Sequence, residues 1–416
     1  MVRVTLLARC AEVRAAVAWF PARREPGFMP RSWKWEAQVS RPVEWSTALY
    51  DGLLELTPRG DPELFGDLNH SRRRFVAVDE SAWGLYQKEI TSLLDRYRLE
   101  WNNPPSLLPG GEDAKTRDSA NRISDEMNAF GVARFGEPPI AIGGGVLHDV
   151  FGLVAGEYRR GVSWDFIGTT LVSAIDSMFA LKCGVSEGWK NRAGLYHPAR
   201  SSMTDARFFQ TLPQHQIRDG FAEIIKIAVA GDCALFRLLE EHGPRVAEER
   251  FRSADGPCEE ILSRSISWMM RELKRNPFER ETARASYLGH NISPGLEPTV
   301  THGHAVALDI AWTSMIAWRR GLIGRFARDR ILRLIHSFGL DVWHPAMAET
   351  DRLVAALSDA VRHRGGQQLI PTPDRVGRVT YLGDVTTDEL RRAVEDQHQW
   401  ESGDLRSDTA KDGGRR

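Results

Sequence analysis

Between about residues 70 and 210 the chain alternates short apolar runs with amphipathic stretches. "RRRFVAVDES" (72–81) reads as a strand ending at Asp79, and "WGLYQKEITSLLDRYRLEW" beyond it carries apolar residues at helical spacing. "LLPGGEDAKT" (107–116) is a glycine-rich turn that leads into a helix ending near Phe130. "PPIAIGGGVLHDVFGLVAGEYRRG" (138–161) is again a strand, a turn and a helix, with three glycines at the turn. After about residue 207 the period becomes helical: "LPQHQIRDGFAEIIKIAVAGDCALFRLLEEHG" breaks only at Pro213 and Gly231. The pattern predicts an α/β half over residues 46–207 and a mainly α-helical half over 208–400. Residues 1–45, rich in Arg, Trp and Pro, show no period and are expected to form an extension on the first domain. The polar stretch 401–416 is expected to be a disordered tail.

Composition agrees with two domains: 416 residues, 42% of them hydrophobic and 27% charged, suffice for sizeable cores. The 55 basic and 56 acidic side chains nearly cancel, so no overall field recruits nucleic acid or an anionic membrane, and neither is expected as a partner. Cys10, Cys183, Cys233 and Cys258 lie far apart with no CxxC pair, which excludes a disulfide framework and a zinc ribbon and fits a reducing cytoplasm. Charges interrupt the N-terminal apolar run, and nowhere do 18 uncharged apolar residues follow one another. No export or membrane insertion is expected.

Three groups of residues carry possible chemistry. The strand, glycine turn and helix around Gly144 and Gly145 is the setting in which backbone N–H groups and a helix N-terminus cradle a pyrophosphate, although an ordinary tight turn has the same spelling. Glu223 and Lys226 are i and i+3 in an apolar helix, as a structural ion pair would be. His290 and His302 lie twelve positions apart with Pro294, Gly295 and Pro298 between them, so only a folded-back loop unites them. Joined by Glu223, they would form the two-histidine, one-carboxylate set that leaves a metal ion an open position. The run 169–198 adds Asp176, Lys182, Lys190 and Asn191, suited to a phosphate or polyol pocket but equally to a solvated loop.

The order "GGEDAKT", "GGGVLHDVFG", "YRRGV", "TTLVSAIDS", "KNRAG", "TLPQHQIRDGFAEIIK", "GHNISP" and "HGHAVALD" resembles the dehydroquinate-synthase-like sugar phosphate cyclases over about residues 70–385. The resemblance implies a Rossmann-like dinucleotide-binding domain followed by a helical metal- and substrate-binding domain. It implies Glu223, His290 and His302 as ligands of Zn²⁺, or of Co²⁺. NAD⁺ contacts fall on Asp79, Glu112, Lys115, Gly144, Gly145, Asp149, Thr169, Thr170 and Lys190. Arg160, Asp176, Lys182, Asn191 and Lys226 match the catalytic residues that grip phosphate and hydroxyls. The family is commonly homodimeric, and Arg160 is expected to reach the neighbouring subunit's site.

Departures from the family pattern choose among its members. "GHNISP" puts Pro294 where dehydroquinate synthases have a second histidine, as in the sedoheptulose 7-phosphate cyclases. Counted back from His290 without gaps, the family's substrate-binding lysine falls on Met269, and the arginine and asparagine that hold a substrate carboxylate fall on Ala283 and Tyr287, with Arg284 one residue away. A carboxylate left without cationic partners is costly, so the expected substrate lacks one. "AVRHRGGQQLIPTPDRVG" resembles the R-x-R-x-G-x-Q segment of 2-epi-5-epi-valiolone synthases, with Arg362 and Arg364 as phosphate partners. His304 stands where that subgroup has Glu, and is read as a hydrogen-bond partner behind the metal ligands, at the edge of the substrate region.

The implied reaction is transient oxidation of a secondary alcohol by NAD⁺, β-elimination of phosphate, return of the hydride, ring opening and aldol closure to a C7 cyclitol, either 2-epi-5-epi-valiolone or its epimer 2-epi-valiolone. The rivals are 3-dehydroquinate synthase and a metal-dependent polyol dehydrogenase, which would release NADH.

Overall fold

The computed structural model describes residues 43–187, 189–253 and 255–406, without the side chains of Trp189 and Lys190. The expected extension therefore lies almost wholly outside the described residues, as do positions 407–416 of the expected tail. The first half runs β1 (Ser46–Tyr50), β2 (Arg73–Arg74), β3 (Val76–Asp79), α1 (Glu80–Arg96), β4 (Glu100–Trp101), β5 (Ser106–Leu108) and α2 (Arg117–Phe130). It continues with β6 (Ile140–Gly143), α3 (Gly145–Glu157), β7 (Asp165–Gly168), α4 (Leu171–Ile175), β8 (Lys182–Glu187), β9 (Trp189–Tyr196) and β10 (Ser201–Asp205).

Six of these strands form one parallel sheet in the order β1-β10-β7-β6-β3-β5. Helices cover both faces of such a sheet, which is why "IAIG" and "DFIG" are buried at every position instead of alternating. From β3 the chain builds outward to β5, then returns to place β6 on the other side of β3. A crevice opens beyond the carboxyl ends of the strands at that reversal, the usual ligand position in an open α/β sheet. Asp79 ends β3 and Gly143 ends β6, so both stand at its floor.

Residues 182–196, open between pocket and loop in the sequence, form the antiparallel hairpin β8–β9. Beyond β10 the chain is helical: α5 (Gln214–Gly231), α6 (Cys233–Glu249), α7 (Gly256–Arg275), α8 (His302–Arg319), α9 (Arg325–Ser337) and α10 (Thr350–His363). The hairpin of β11 (Ile370–Arg375) and β12 (Arg378–Leu382) and then α11 (Thr387–Glu401) complete it. The expected tail begins too early. Arg328 and Arg325 donate to the carbonyl oxygens of Leu405 and Arg406, which tie residues 402–406 back onto α9.

Helices α5 and α8 are apolar on almost every side and form the centre of the second half. Their contact is close because Gly303, in the first turn of α8, has no side chain: a Cβ there would lie 2.2 Å from the Cα of Asp219 on α5. Glu223 is one turn beyond Asp219, so this crossing brings the start of α8 to the carboxylate.

Candidate active site

Glu223 and Lys226 are both fully buried on α5, with the ammonium against Oε2 of the carboxylate. Burial alone would raise the Glu223 pKa, but Lys226 and the two neighbouring imidazoles hold it well below the usual range. The other oxygen, Oε1, lies 3.1 Å from Nε2 of His302 and 3.8 Å from Nε2 of His290. The ion pair and the histidine cluster are thus one constellation.

A loop folds His290 back onto α8. Asp309, two turns beyond His302, is fully buried, and its Oδ2 accepts the backbone N–H groups of Asn291 and Ile292 at 2.6 Å and of Ser293 at 3.1 Å. Asn291 Nδ2 adds a bond of 3.2 Å to Oδ1. A carboxylate inside an apolar helix is tolerated because these donors replace its water.

Each imidazole is also anchored at its far nitrogen. Nδ1 of His290 faces the carbonyl oxygen of Leu288 at 3.2 Å, and Nδ1 of His302 faces Oε1 of Glu297 at 3.1 Å. With the proton on Nδ1, each ring would turn its Nε2 lone pair toward the space beside Glu223; His302 Nε2 also lies at hydrogen-bond distance, 3.1 Å, from Glu223 Oε1, the contact that a bound metal ion would replace. The three ligand atoms lie within 4.8 Å of one another, and among the described residues only this group could hold a metal ion. A tetrahedral ion with bonds of about 2.0–2.2 Å separates its ligand atoms by roughly 3.3–3.6 Å, so the site fits Zn²⁺ with little movement. The carboxylate is sealed while both histidines are partly exposed, which leaves the fourth position on the open side.

The crevice fits a dinucleotide. Gly144 caps α3, and a Cβ there would stand 3.1 Å from the methyl of Thr170; one at Gly143 would meet Asp79 and Leu147 at 2.9 Å. Thr169 N–H bonds Gly143 O at 2.9 Å, and Thr170 caps α4, so the ends of β6 and β7 form one rim. Asp79 caps α1 through Oδ1. The buried hydroxyl of Ser177 has no hydrogen-bond partner among the described residues and is 3.4 Å from where a Cβ on Gly145 would be. Lys115 and Asp149 form an ion pair under the turn: burial pushes the Asp149 carboxyl up, and Lys115 and His148 outweigh it to hold it at about 2. Glu112 is at the edge of this pair, 3.9 Å from the ammonium.

A third group joins the two halves. Lys182, at the start of β8, and Arg284 contact the same carboxylate, Glu279, at 3.2 and 2.8 Å. The Tyr287 hydroxyl donates to Glu279 at 3.1 Å, and the guanidiniums of Arg284 and Arg364 stack on the Tyr287 ring. The Asp176 charge reaches both Lys182 and His290, although at His290 burial and Lys226 outweigh it and hold the imidazole down at about 4.

Several other expected residues are exposed, packed in the core or already held by partners of their own. Met269 is packed in the apolar core of α7 and offers no donor for a phosphate. Arg362 is exposed and pairs with Asp359. Arg364 is buried, with NH1 committed to Asn291 Oδ1 and Leu369 O at 3.2 and 2.8 Å, so it braces the metal loop. Pro294 sits in a short turn of 3₁₀-helix, Ser293–Gly295, against α10. His304 turns to Asp341, 3.2 Å away, and His344. Asn191 is exposed on β9, and the Lys190 side chain is outside the described residues. Arg160 is exposed at the end of α3 away from the turn, roughly 20 Å along the helix from Gly145.

Asp309, Glu297, Glu279 and Ser177 were not singled out from the sequence. Asp309 alone had a local signal, a carboxylate within an apolar helical run.

Two family models match the chain, 3-dehydroquinate synthase N-terminal over residues 106–219 and C-terminal over 220–360. A 2-epi-5-epi-valiolone synthase from Streptomyces albus is 39% identical over 389 residues, covering 91% of this chain and 94% of that protein. The chain belongs to the dehydroquinate-synthase-like sugar phosphate cyclases. A second 2-epi-5-epi-valiolone synthase, from Actinoplanes sp., is also 39% identical, over 88% of this chain and 93% of that one. Among solved structures, ValA (2-epi-5-epi-valiolone synthase) from Streptomyces hygroscopicus subsp. jinggangensis 5008, with NAD⁺ and Zn²⁺ bound, superposes with a TM-score of 0.83 at 33% identity, covering 88% of this chain and all of that chain.

Proposed function

We propose that the chain is a sedoheptulose 7-phosphate cyclase that forms 2-epi-5-epi-valiolone. The observation that carries this reading is the pairing of Arg284 with Glu279: the arginine nearest the expected carboxylate clamp is already neutralised from within. A substrate carboxylate at this position would meet the Glu279 charge, whereas a sugar hydroxyl there would not. Similarity to two 2-epi-5-epi-valiolone synthases along most of the chain supports the same substrate and product.

Glu223, His290 and His302 would hold Zn²⁺, and Gly144, Gly145, Thr169, Thr170, Asp79 and Ser177 would receive NAD⁺. When bound, the metal supplies a Lewis acid for substrate oxygens and the dinucleotide a reversible hydride acceptor. Lys226 keeps Glu223 ionised without blocking its ligand oxygen. Lys182 remains protonated, since Glu279 and Asp176 outweigh its desolvation, and its ammonium, exposed where Arg284 is buried, would leave Glu279 to Arg284 and take a phosphate oxygen. Asp176, whose charge reaches both Lys182 and His290, would orient hydroxyls. The family's other phosphate contact would come from Arg160 of a second copy, because this chain's own Arg160 is at the far end of α3. The enzyme would then work as a homodimer, in the cytoplasm.

Incubating the protein with NAD⁺, Zn²⁺ and sedoheptulose 7-phosphate, then reading the product's proton NMR couplings, tests the assignment. The 2-epi-5-epi-valiolone ring pattern is expected; an open-chain ketose or the 2-epi-valiolone pattern would contradict it.

A further inference from the structure

Glu297 is one of the two oxygen acceptors that lie behind the metal-site imidazoles. It lies in the loop between the two histidines, its own N–H bonded to Ser293 O at 3.1 Å, and its side chain is mostly buried. Its Oε1 meets Nδ1 of His302, on the far side of the ring from Nε2, so it is behind the ligand and outside the metal-binding group. His290 has only the neutral Leu288 carbonyl in the equivalent place. One imidazole is therefore backed by an amide oxygen and the other by an anion.

We propose that Glu297 is the positioning residue for His302: it holds the Nδ1–H tautomer and the ring angle, and its charge makes His302 the stronger of the two nitrogen ligands. A carboxylate accepting Nδ1–H raises the electron density at Nε2, and it prevents the ring from flipping to present Nδ1 to Glu223. With Glu297 removed, either tautomer and either ring face become available, and the Nε2–H form, whose nitrogen already lies 3.1 Å from Glu223 Oε1, would no longer be opposed and would close the metal position with a hydrogen bond. The inference rests on the metal reading of the Glu223, His290 and His302 cluster.

The test is zinc affinity by chelator competition, with ¹⁵N-histidine NMR on the metal-free protein, for wild type, Glu297→Gln and Glu297→Ala. Loss of such an outer partner typically weakens metal binding about 10–100-fold, and that loss is expected for Glu297→Ala, with His302 showing mixed tautomers. Glu297→Gln keeps an acceptor without the charge, so it should retain the Nδ1–H signature while binding zinc with intermediate affinity. Unchanged affinity and an unchanged His302 tautomer in Glu297→Ala would overturn the proposal. If Glu297→Ala does not fold, Glu297→Gln decides it: wild-type zinc affinity would refute the role of the charge. Wild-type protein that binds no zinc would instead overturn the metal reading.

Discussion

Asp309 accepts the backbone N–H of Asn291, the residue directly after His290, at 2.6 Å. This contact closes the loop that joins the two histidines, because Asp309 and His302 are on the same helix. Asp309→Ala would leave three backbone donors and the Asn291 amide without their acceptor. We expect a loss of about 3 kcal/mol or more in urea unfolding, together with loss of stoichiometric zinc. Unfolding unchanged from wild type would show that the loop is held by other contacts.

Gly303→Ala tests how α8 reaches α5. The added methyl would overlap the Asp219 backbone, which cannot turn away as a side chain can. The helices must separate, costing about 1–3 kcal/mol, and His302 should move away from Glu223. Weakened zinc binding at full folding is the expected signature, and native affinity would contradict it.

Much of this arrangement was legible in the sequence, and the reason is local periodicity. The strand ending at Asp79, the glycine turn at 143–145 and the Glu223–Lys226 face all follow from spacing within one element. The convergence of His290 and His302 does not, since it depends on Asp309 and Gly303 acting across the chain. Position-by-position correspondence also could not reveal that Arg364 is occupied by Asn291, or that Arg284 is occupied by Glu279. The hairpin 182–196 was hidden because its polar, glycine-containing run has weak strand alternation.

Glu279 sets an acid limit on the join between the two halves. Its burial pushes the carboxyl up, but Lys182 and Arg284 outweigh this and hold it at about 2, down from an ordinary 4.5. A depressed folded pKa gives stability that is fully present above about pH 4.5 and is lost as pH falls toward 2. Glu279→Gln should therefore be less stable than wild type at neutral pH, with a flatter stability profile between those two values in denaturant titrations. Parallel profiles would contradict the coupling.

Gly144→Val probes the dinucleotide crevice. The larger side chain would meet Thr170 and occupy the space above the α3 N-terminus. NAD⁺ affinity, followed by protein fluorescence, is expected to fall at least about tenfold, a loss of roughly 1.4 kcal/mol, while zinc binding stays intact. Equal affinity for NAD⁺ would place the cofactor elsewhere.

The most direct measurement is inorganic phosphate release by the NAD⁺- and Zn²⁺-loaded protein, with sedoheptulose 7-phosphate and the carboxylate-bearing dehydroquinate synthase substrate offered separately while NADH absorbance is followed. Phosphate released from the C7 sugar alone, with no net NADH, is the predicted result. Release from the carboxylate substrate, or NADH accumulating without phosphate, would contradict the assignment to a sedoheptulose 7-phosphate cyclase.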